Sequence, residues 1–200
     1  MSSVTAVAQP MTAADRGPAA VTLARAFADD PVMTWITGPR TPRFTELAPG
    51  MFAAQAADSM RAGGAWTVTG NGSSALWLPP GVRNDSLFSL ARNLIPAVKL
   101  FGRRITVGLK ALSEMERAHP KEPHWYLQVL GTDPDHQGKG FGSVVITPVL
   151  ERCDREGVPA YLESSNERNV PFYERHGFRI TKQFRFTDGP QLWPMWRDPR

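Results

Sequence analysis

"DPDHQGKGFGSVV", Asp133 to Val145, sets Gly138, Gly140 and Gly142 at alternate positions immediately ahead of an apolar run. The stretch before it, "HWYLQVLGT" from His124 to Thr132, is rich in aromatic and branched residues and reads as the strongest strand in the chain. Beyond it, Phe141, Val144, Val145 and Val149 recur at helical spacing until "ERCDREG" closes the helix at Gly157, with Pro148 as an expected kink. A strand thus runs through a glycine loop into a helix. Successive backbone N–H groups without side chains around them, opening onto the positive end of a helix dipole, form a site for a phosphate or pyrophosphate, and Lys139 adds a point charge. The P-loop pattern fails because no Lys-Ser/Thr pair follows the last glycine. The dinucleotide fingerprint fails at its third glycine, where Ser143 stands. Glu163 lies about 20 residues on, where a ribose-binding acid would sit, so NAD-type dinucleotide binding stays open at this point.

Outward from this unit, Val4 to Gln9 alternates as a first strand, and Thr12 with Asp15 signals the start of a helix through Phe27 with Ala20, Leu23, Ala24 and Phe27 on one face. "DDPVMTW" breaks that helix. Asp29 and Asp30 read as solvated helix-ending acids, though the pair could also attract a cationic amine, and Trp35 is a core residue or a pocket wall. Pro39 to Ala62 is helical, with Phe44, Leu47, Met51 and Phe52 as its apolar stripe. Ala65 to Thr69 and Ser74 to Pro79 form a hairpin around "GNG", and Asn84 to Ala118 holds two helices with breaks at Pro96 and Gly102. "PAYLESS" is a strand, "NVPFYERH" a short helix stopped by Gly177, and "FRITKQFRF" a strand that turns at "TDGP" into "QLWPMW", whose apolar residues could serve an intermolecular contact. The mixture of helices, antiparallel hairpins and one strand–loop–helix–strand unit predicts an α/β (α+β) mixed layer fold.

A chain of 200 residues suits one core, so a single domain over residues 1–200 is expected. No stretch reads as a membrane span or secretory leader, and a lone cysteine, Cys153, agrees with a reducing compartment, so the expected location is cytoplasmic. Cys153 falls in an apolar helical pattern and reads as a core residue. The net charge of +4 is scattered, with no basic stripe for nucleic acid, and suits a small polyanionic ligand. His119, His124, His136 and His176 show no metal-ligand spacing, so no metal is expected.

Q-x-x-G-x-G-type residues Gln137, Gly138, Lys139, Gly140, Phe141 and Gly142, followed by Asn169, Tyr173, Gly177 and Phe178, resemble the GCN5-related N-acetyltransferase (GNAT) superfamily. Within it, "HPKEPHWYLQVLGTDPDHQGKGFG" and "GVPAYLESSNERNVPFYERHGF" are similar to puromycin N-acetyltransferase-like proteins, over roughly Pro120 to Trp196. The resemblance implies the GNAT fold, a mostly antiparallel, splayed sheet flanked by helices. It implies an acetyl-CoA core at about 120–186 and acceptor-side helices at about 31–62 and 84–118. It implies that the pyrophosphate of acetyl-CoA lies on the amides of Gly138 to Gly142, with Gln137 holding the start of the loop. Leu130, Gly131 and Thr132 would offer main-chain contacts to pantetheine, and Asn166 and Asn169 would flank it, although helix capping explains either asparagine as well. Tyr173 would protonate the departing thiolate. Glu163 would deprotonate the amine directly or through a water, unless it is a solvated strand-end acid paired with Arg168. The first-half helices depart from the puromycin branch, so the acceptor amine, of a small molecule or of a protein lysine or N-terminus, does not carry over. An acetyl-CoA-binding sensor without turnover, and a monomer or a homodimer, remain alternatives.

Overall fold

A computed structural model describes residues 6–38, 43–82 and 87–200, with backbone alone from 87 to 93. Among them the chain runs β1 (Ala8–Pro10), α1 (Arg16–Ala26), α2 (Pro31–Thr37), α3 (Phe44–Arg61), β2 (Ala65–Val68), β3 (Ser73–Leu78), α4 (Leu87–Phe101), α5 (Ile105–Ala118), β4 (Trp125–Thr132), α6 (Phe141–Glu156), β5 (Ala160–Ser164), α7 (Val170–Glu174), β6 (Arg179–Ile180), β7 (Phe184–Arg185) and β8 (Gln191–Arg197). The start of the expected Val4–Gln9 strand, the proline-rich start of the Pro39–Ala62 helix and the first residues of the Asn84–Ala118 stretch lie outside the described residues.

The strands join in the order β1-β2-β3-β4-β5-β8-β6, with β7 pairing β8. Every pairing is antiparallel except β4 with β5. That parallel pairing covers Trp125↔Ala160, Tyr126↔Tyr161 and Leu127↔Leu162 and goes no further. The register between β3 and β4 shifts at the same height, from Leu76↔Val129 to Trp77↔Leu127, which leaves Gln128 as an extra residue. A bulge of this kind bends its strand and flips the side-chain alternation beyond it. The packing records the flip. Trp125 and Leu127 pack with Val145, Ile146 and Val149 of α6, whereas Val129 packs with Leu23 of α1 and Phe52 of α3 on the other face. On that second face α1 comes so close to β4 that a Cβ on Gly131 would stand 2.8 Å from Leu23.

Several expectations are corrected. "DDPVMTW" starts a helix as well as ending one, because Asp30 caps α2, accepting hydrogen bonds from the amides of Val32 at 3.0 Å and Met33 at 2.9 Å. Pro96 lies inside α4 and Gly102 is the break before α5. "FRITKQFRF" divides into β6 and β7, and "QLWPMW" lies within the sheet, between β5 and β6, with Leu192 and Met195 buried. Trp35 stacks on Phe186 beside the α2–α5 contact and does not line the cleft described below.

The far end of α6 is tied to β8 by a buried fork. Arg197 donates from Nη1 and Nη2 to the two Asp154 oxygens at 2.7 and 2.8 Å, and from Nε to the His176 carbonyl at 3.0 Å. These bonds hold the Asp154 carboxyl below its ordinary range. An aspartate in the unfolded chain titrates near 3.9, about pH 4, so this stabilisation is complete above that pH and is lost as pH falls through the lower folded value. Asp154→Ala strands the buried guanidinium and should lower the unfolding free energy by about 3–5 kcal/mol at neutral pH. Urea titrations across pH check both statements. A variant that keeps the full acid-induced loss of the native chain would show that another carboxylate is responsible.

Candidate active site

Past Leu127 and Leu162 the unpaired edges of β4 and β5 part, and a cleft of about 690 Å³ occupies the opening. Its walls come from the end of α1, Asp29 and Asp30, the outer half of β4, the glycine loop, the start of α6, β5 and α7. Nearly all the residues expected from the sequence meet there: Leu130, Gly131, Thr132, Gln137, Gly138, Gly140, Phe141, Gly142, Glu163, Asn166, Asn169 and Tyr173. Lys139 does not line it, since its Nζ donates to the Asp135 carbonyl at 2.7 Å.

The loop owes its path to backbone conformation. Gly138 and Gly140 have φ of 74° and 81°, in the left-handed region, and a Cβ on either would point into open space. At Gly142 the neighbour is close instead: a Cβ there would stand 3.3 Å from the Phe172 ring. Gln137 Nε2 donates to the Thr132 carbonyl at 3.3 Å and so ties the loop to the end of β4. The first amides of α6 have no carbonyl partner in their own helix and open on the cleft. Arg168 and Arg175 line the cleft as well. Free amides at a helix start and arginines in the same cleft are groups able to attract an anion.

The cleft holds acids as well. Alternation along β5 places Leu162 against α6 and Glu163 on the opposite face. The expectation of a solvated Glu163 paired with Arg168 is corrected: its side chain is 5% exposed, and the cation-forming group beside it is His119, with Nδ1 3.5 Å from Oε1. The "solvated" reading of Asp30 fails too, since its carboxylate also accepts from the Ser165 hydroxyl, and burial pushes its proton affinity up. Tyr173 is buried against the α6 face of the sheet, and its hydroxyl has no hydrogen-bond partner among the described residues. Burial, and then the Asp30 charge, push its phenol well above the ordinary range, so it remains a proton donor at neutral pH. Asn166 caps the turn before α7, accepting from the Arg168 amide at 3.1 Å, while Asn169 precedes α7 without a side-chain cap. Cys153 is fully buried in the core, and burial pushes its thiol up to about 12, which leaves no thiolate for catalysis. Among the described residues no group of three His, Cys, Asp or Glu side chains is arranged to hold a metal.

Sequence reasoning missed Gln128, whose buried Oε1 has no partner and which lines the cleft, and the pairing of His119 with Glu163. Neither carries a local signal. One follows from a bulge, the other from a contact between residues 44 positions apart, 119 and 163.

A model of the acetyltransferase (GNAT) family matches residues 96–178. An uncharacterized N-acetyltransferase of Schizosaccharomyces pombe is 31% identical over 198 residues, covering 94% of this chain and 80% of that protein. A crystal structure described as histone acetyltransferase HPA2 and related acetyltransferase, from Corynebacterium glutamicum, superposes with a TM-score of 0.73 at 25% identity, covering 98% of each chain. A polyamine N-acetyltransferase of Drosophila melanogaster shares the fold at a TM-score of 0.66 and 14% identity, over 97% of this chain and 100% of that one.

A side chain at a left-handed position costs about 1–2 kcal/mol. Gly140→Ala should therefore lower stability by about that amount, read from thermal or urea melts. An unchanged melt would mean that the loop does not need glycine's conformation at this place.

Proposed function

Because the chain belongs to the acetyltransferase (GNAT) family, we propose that it transfers the acetyl group of acetyl-CoA to a primary amine of a small molecule, by direct attack within a ternary complex. The observation that carries the reading is one cleft that gathers backbone donors at a helix start, two arginines, a buried proton donor and a buried carboxylate around two parted strand edges. An orphaned strand edge must find hydrogen-bond partners, and the amides of pantetheine suit the edge at Leu130, Gly131 and Thr132. The amides from Gly138 to Gly142 suit a diphosphate, with Gln137 bracing the loop and Lys139 acting at longer range. Asn166 and Asn169 border the same route. A dinucleotide site would need a largely parallel sheet, and here one pairing is parallel over three residues.

The reaction converts an ammonium and a thioester into an amide and a thiol, and one proton is released to solution. Glu163 is the base that takes a proton from the amine. Tyr173, held protonated, donates to the sulfur as the carbon–sulfur bond breaks, and the second proton that the nitrogen gives up as the amide forms restores the phenol. A backbone N–H near Leu130 meets the transient oxyanion. Asp29 and Asp30 lie in the same cleft and favour a cationic acceptor. A protein lysine is the second reading, and one observation favours it: no described residue of α3, α4 or α5 lines the cleft. The reducing compartment that Cys153 suits makes the cytoplasm part of this proposal.

Calorimetry with acetyl-CoA, followed by thiol release across a panel of small amines and lysine peptides, tests the reading. Tyr173→Phe should lower kcat by about 10²–10⁴-fold with acetyl-CoA affinity within about twofold. Cys153→Ala should keep turnover, because no acyl-enzyme is formed. Full activity in the tyrosine variant would remove the assigned acid, and a dead cysteine variant that still folds would remove direct attack.

A further inference from the structure

Behind Glu163, on the side of the sheet away from α6, stands a pair of histidines to which the reaction as described gives no part. His119 caps the end of α5, and His124 precedes β4. Their Nε2 atoms are 3.1 Å apart, and Nδ1 of His124 is 2.6 Å from the Glu122 carbonyl oxygen. The rings are clamped edge-on: His119 against Tyr126 and Tyr161, with centroids at 4.7 and 5.0 Å, and His124 against Tyr161 and Trp196 at 5.3 and 5.5 Å.

The direction of the hydrogen bonds in this chain follows from what each atom is able to do. A carbonyl oxygen only accepts, so Nδ1 of His124 carries the hydrogen. His124 is neutral, since burial lowers its proton affinity and the neighbouring His119 lowers it further. Its Nε2 is therefore bare and accepts from Nε2–H of His119. A neutral His119 with its hydrogen on Nε2 presents a bare Nδ1 to Glu163, across 3.5 Å. Oε1 of Glu163, for its part, is buried, and the phenols of Tyr126 and Tyr161 lie within hydrogen-bond reach of the same carboxylate. In that tautomer the His119–Glu163 contact is acceptor to acceptor and has room for one proton.

Acetyl transfer supplies that proton. We propose that His119, with its tautomer set by His124, receives from Glu163 the proton released by the amine and passes it to solvent. The proposal rests on the acetyl-transfer reading. The N–H bond of the ammonium breaks as Glu163 takes the proton; the proton then moves to Nδ1 of His119, and Glu163 returns to carboxylate for the next turnover. The imidazolium formed in transit is stabilised by that carboxylate on one side and by Nε2 of His124 on the other. The exit is open, because the His119 side chain is 25% exposed where that of Glu163 is 5% exposed. The other titratable groups facing the pair do not compete. Tyr126 and Tyr161 are held as phenols by burial, by the Glu163 charge and by hydrogen bonding to that carboxylate, Glu122 acts on His124 with its carbonyl and a weaker charge, and Lys182 is engaged by the Ala118 carbonyl at 2.6 Å. His119 and His124 touch no substrate; they act through Glu163.

Steady-state kinetics of His119→Ala between pH 5.5 and 9 test the relay. At neutral pH kcat should fall by about 10–100-fold, within the range of general acid–base effects, with KM for acetyl-CoA within about twofold. The deficit should narrow as pH rises, and added imidazole should restore turnover to the variant. Histidine ¹⁵N NMR of the native protein gives a readout that needs no variant: hydrogen on Nδ1 of His124 and on Nε2 of His119 is expected, and the reverse pair overturns the proposal. Native turnover together with an unimpaired His119→Ala, or one that imidazole does not rescue, sinks the relay alone. A native protein that releases thiol with none of the amines sinks the acetyl-transfer reading and the relay with it.

Discussion

β4 and β5 run side by side for three residue pairs and then part, and the rest of the site depends on that parting. Its physical origin is one surplus residue. Gln128 has no partner on β3, so β4 bends away from β5 and turns its later side chains over. Val129 then packs with Leu76, Leu23 and Phe52, and Gly131 gives α1 room to lie flat on the strand. A bulge costs ladder hydrogen bonds; here the packing of α1 and α3 on the re-aimed residues offsets that loss. The opening is thereby tied to the packing of the core.

The cleft in this opening gathers unlike groups. At its glycine loop, α6 points its unpaired amides outward from a chain that turns at Gly138 and Gly140, and the far end of that helix is fastened to β8 through Asp154 and Arg197. Around the parted strands, the two faces of the sheet supply different chemistry. Tyr173 sits on the α6 face, a phenol kept protonated by burial. Glu163 sits on the opposite face, with His119 and His124 behind it. A donor and a base held on opposite sides of a gap between strands do not quench each other. A linear ligand threaded through the gap would meet both.

Much of this was legible in the chain. "HWYLQVLGT", "GKGFGS" and the apolar spacing of Phe141 to Val149 announce strand, loop and helix, because each signal is local: branched residues, glycines at alternate places, a period near four. The spacing of Asn169, Tyr173 and Gly177 led to the right family for the same reason. The errors share the opposite cause. Asp30 looked like an exposed helix end, and only Ser165, 135 residues away, and the start of α2 make it a half-buried cap. The apolar residues of "QLWPMW" looked available for an intermolecular contact, but Leu192 and Met195 are buried once β5 and β6 flank the strand. Pro96 looked like a break but is carried inside a helix.

The sequence by itself determined the strand, glycine loop and helix from His124 to Gly157 and named the acid and base candidates, since these are written in residues close together along the chain. Only the tertiary structure decided that β4 bulges at Gln128, that Glu163 is shielded and faces His119, and that Lys139 stays outside the cleft. Register, burial and the partner of a charged group are set by segments that meet only after folding, and no short window of sequence holds both halves of such a contact.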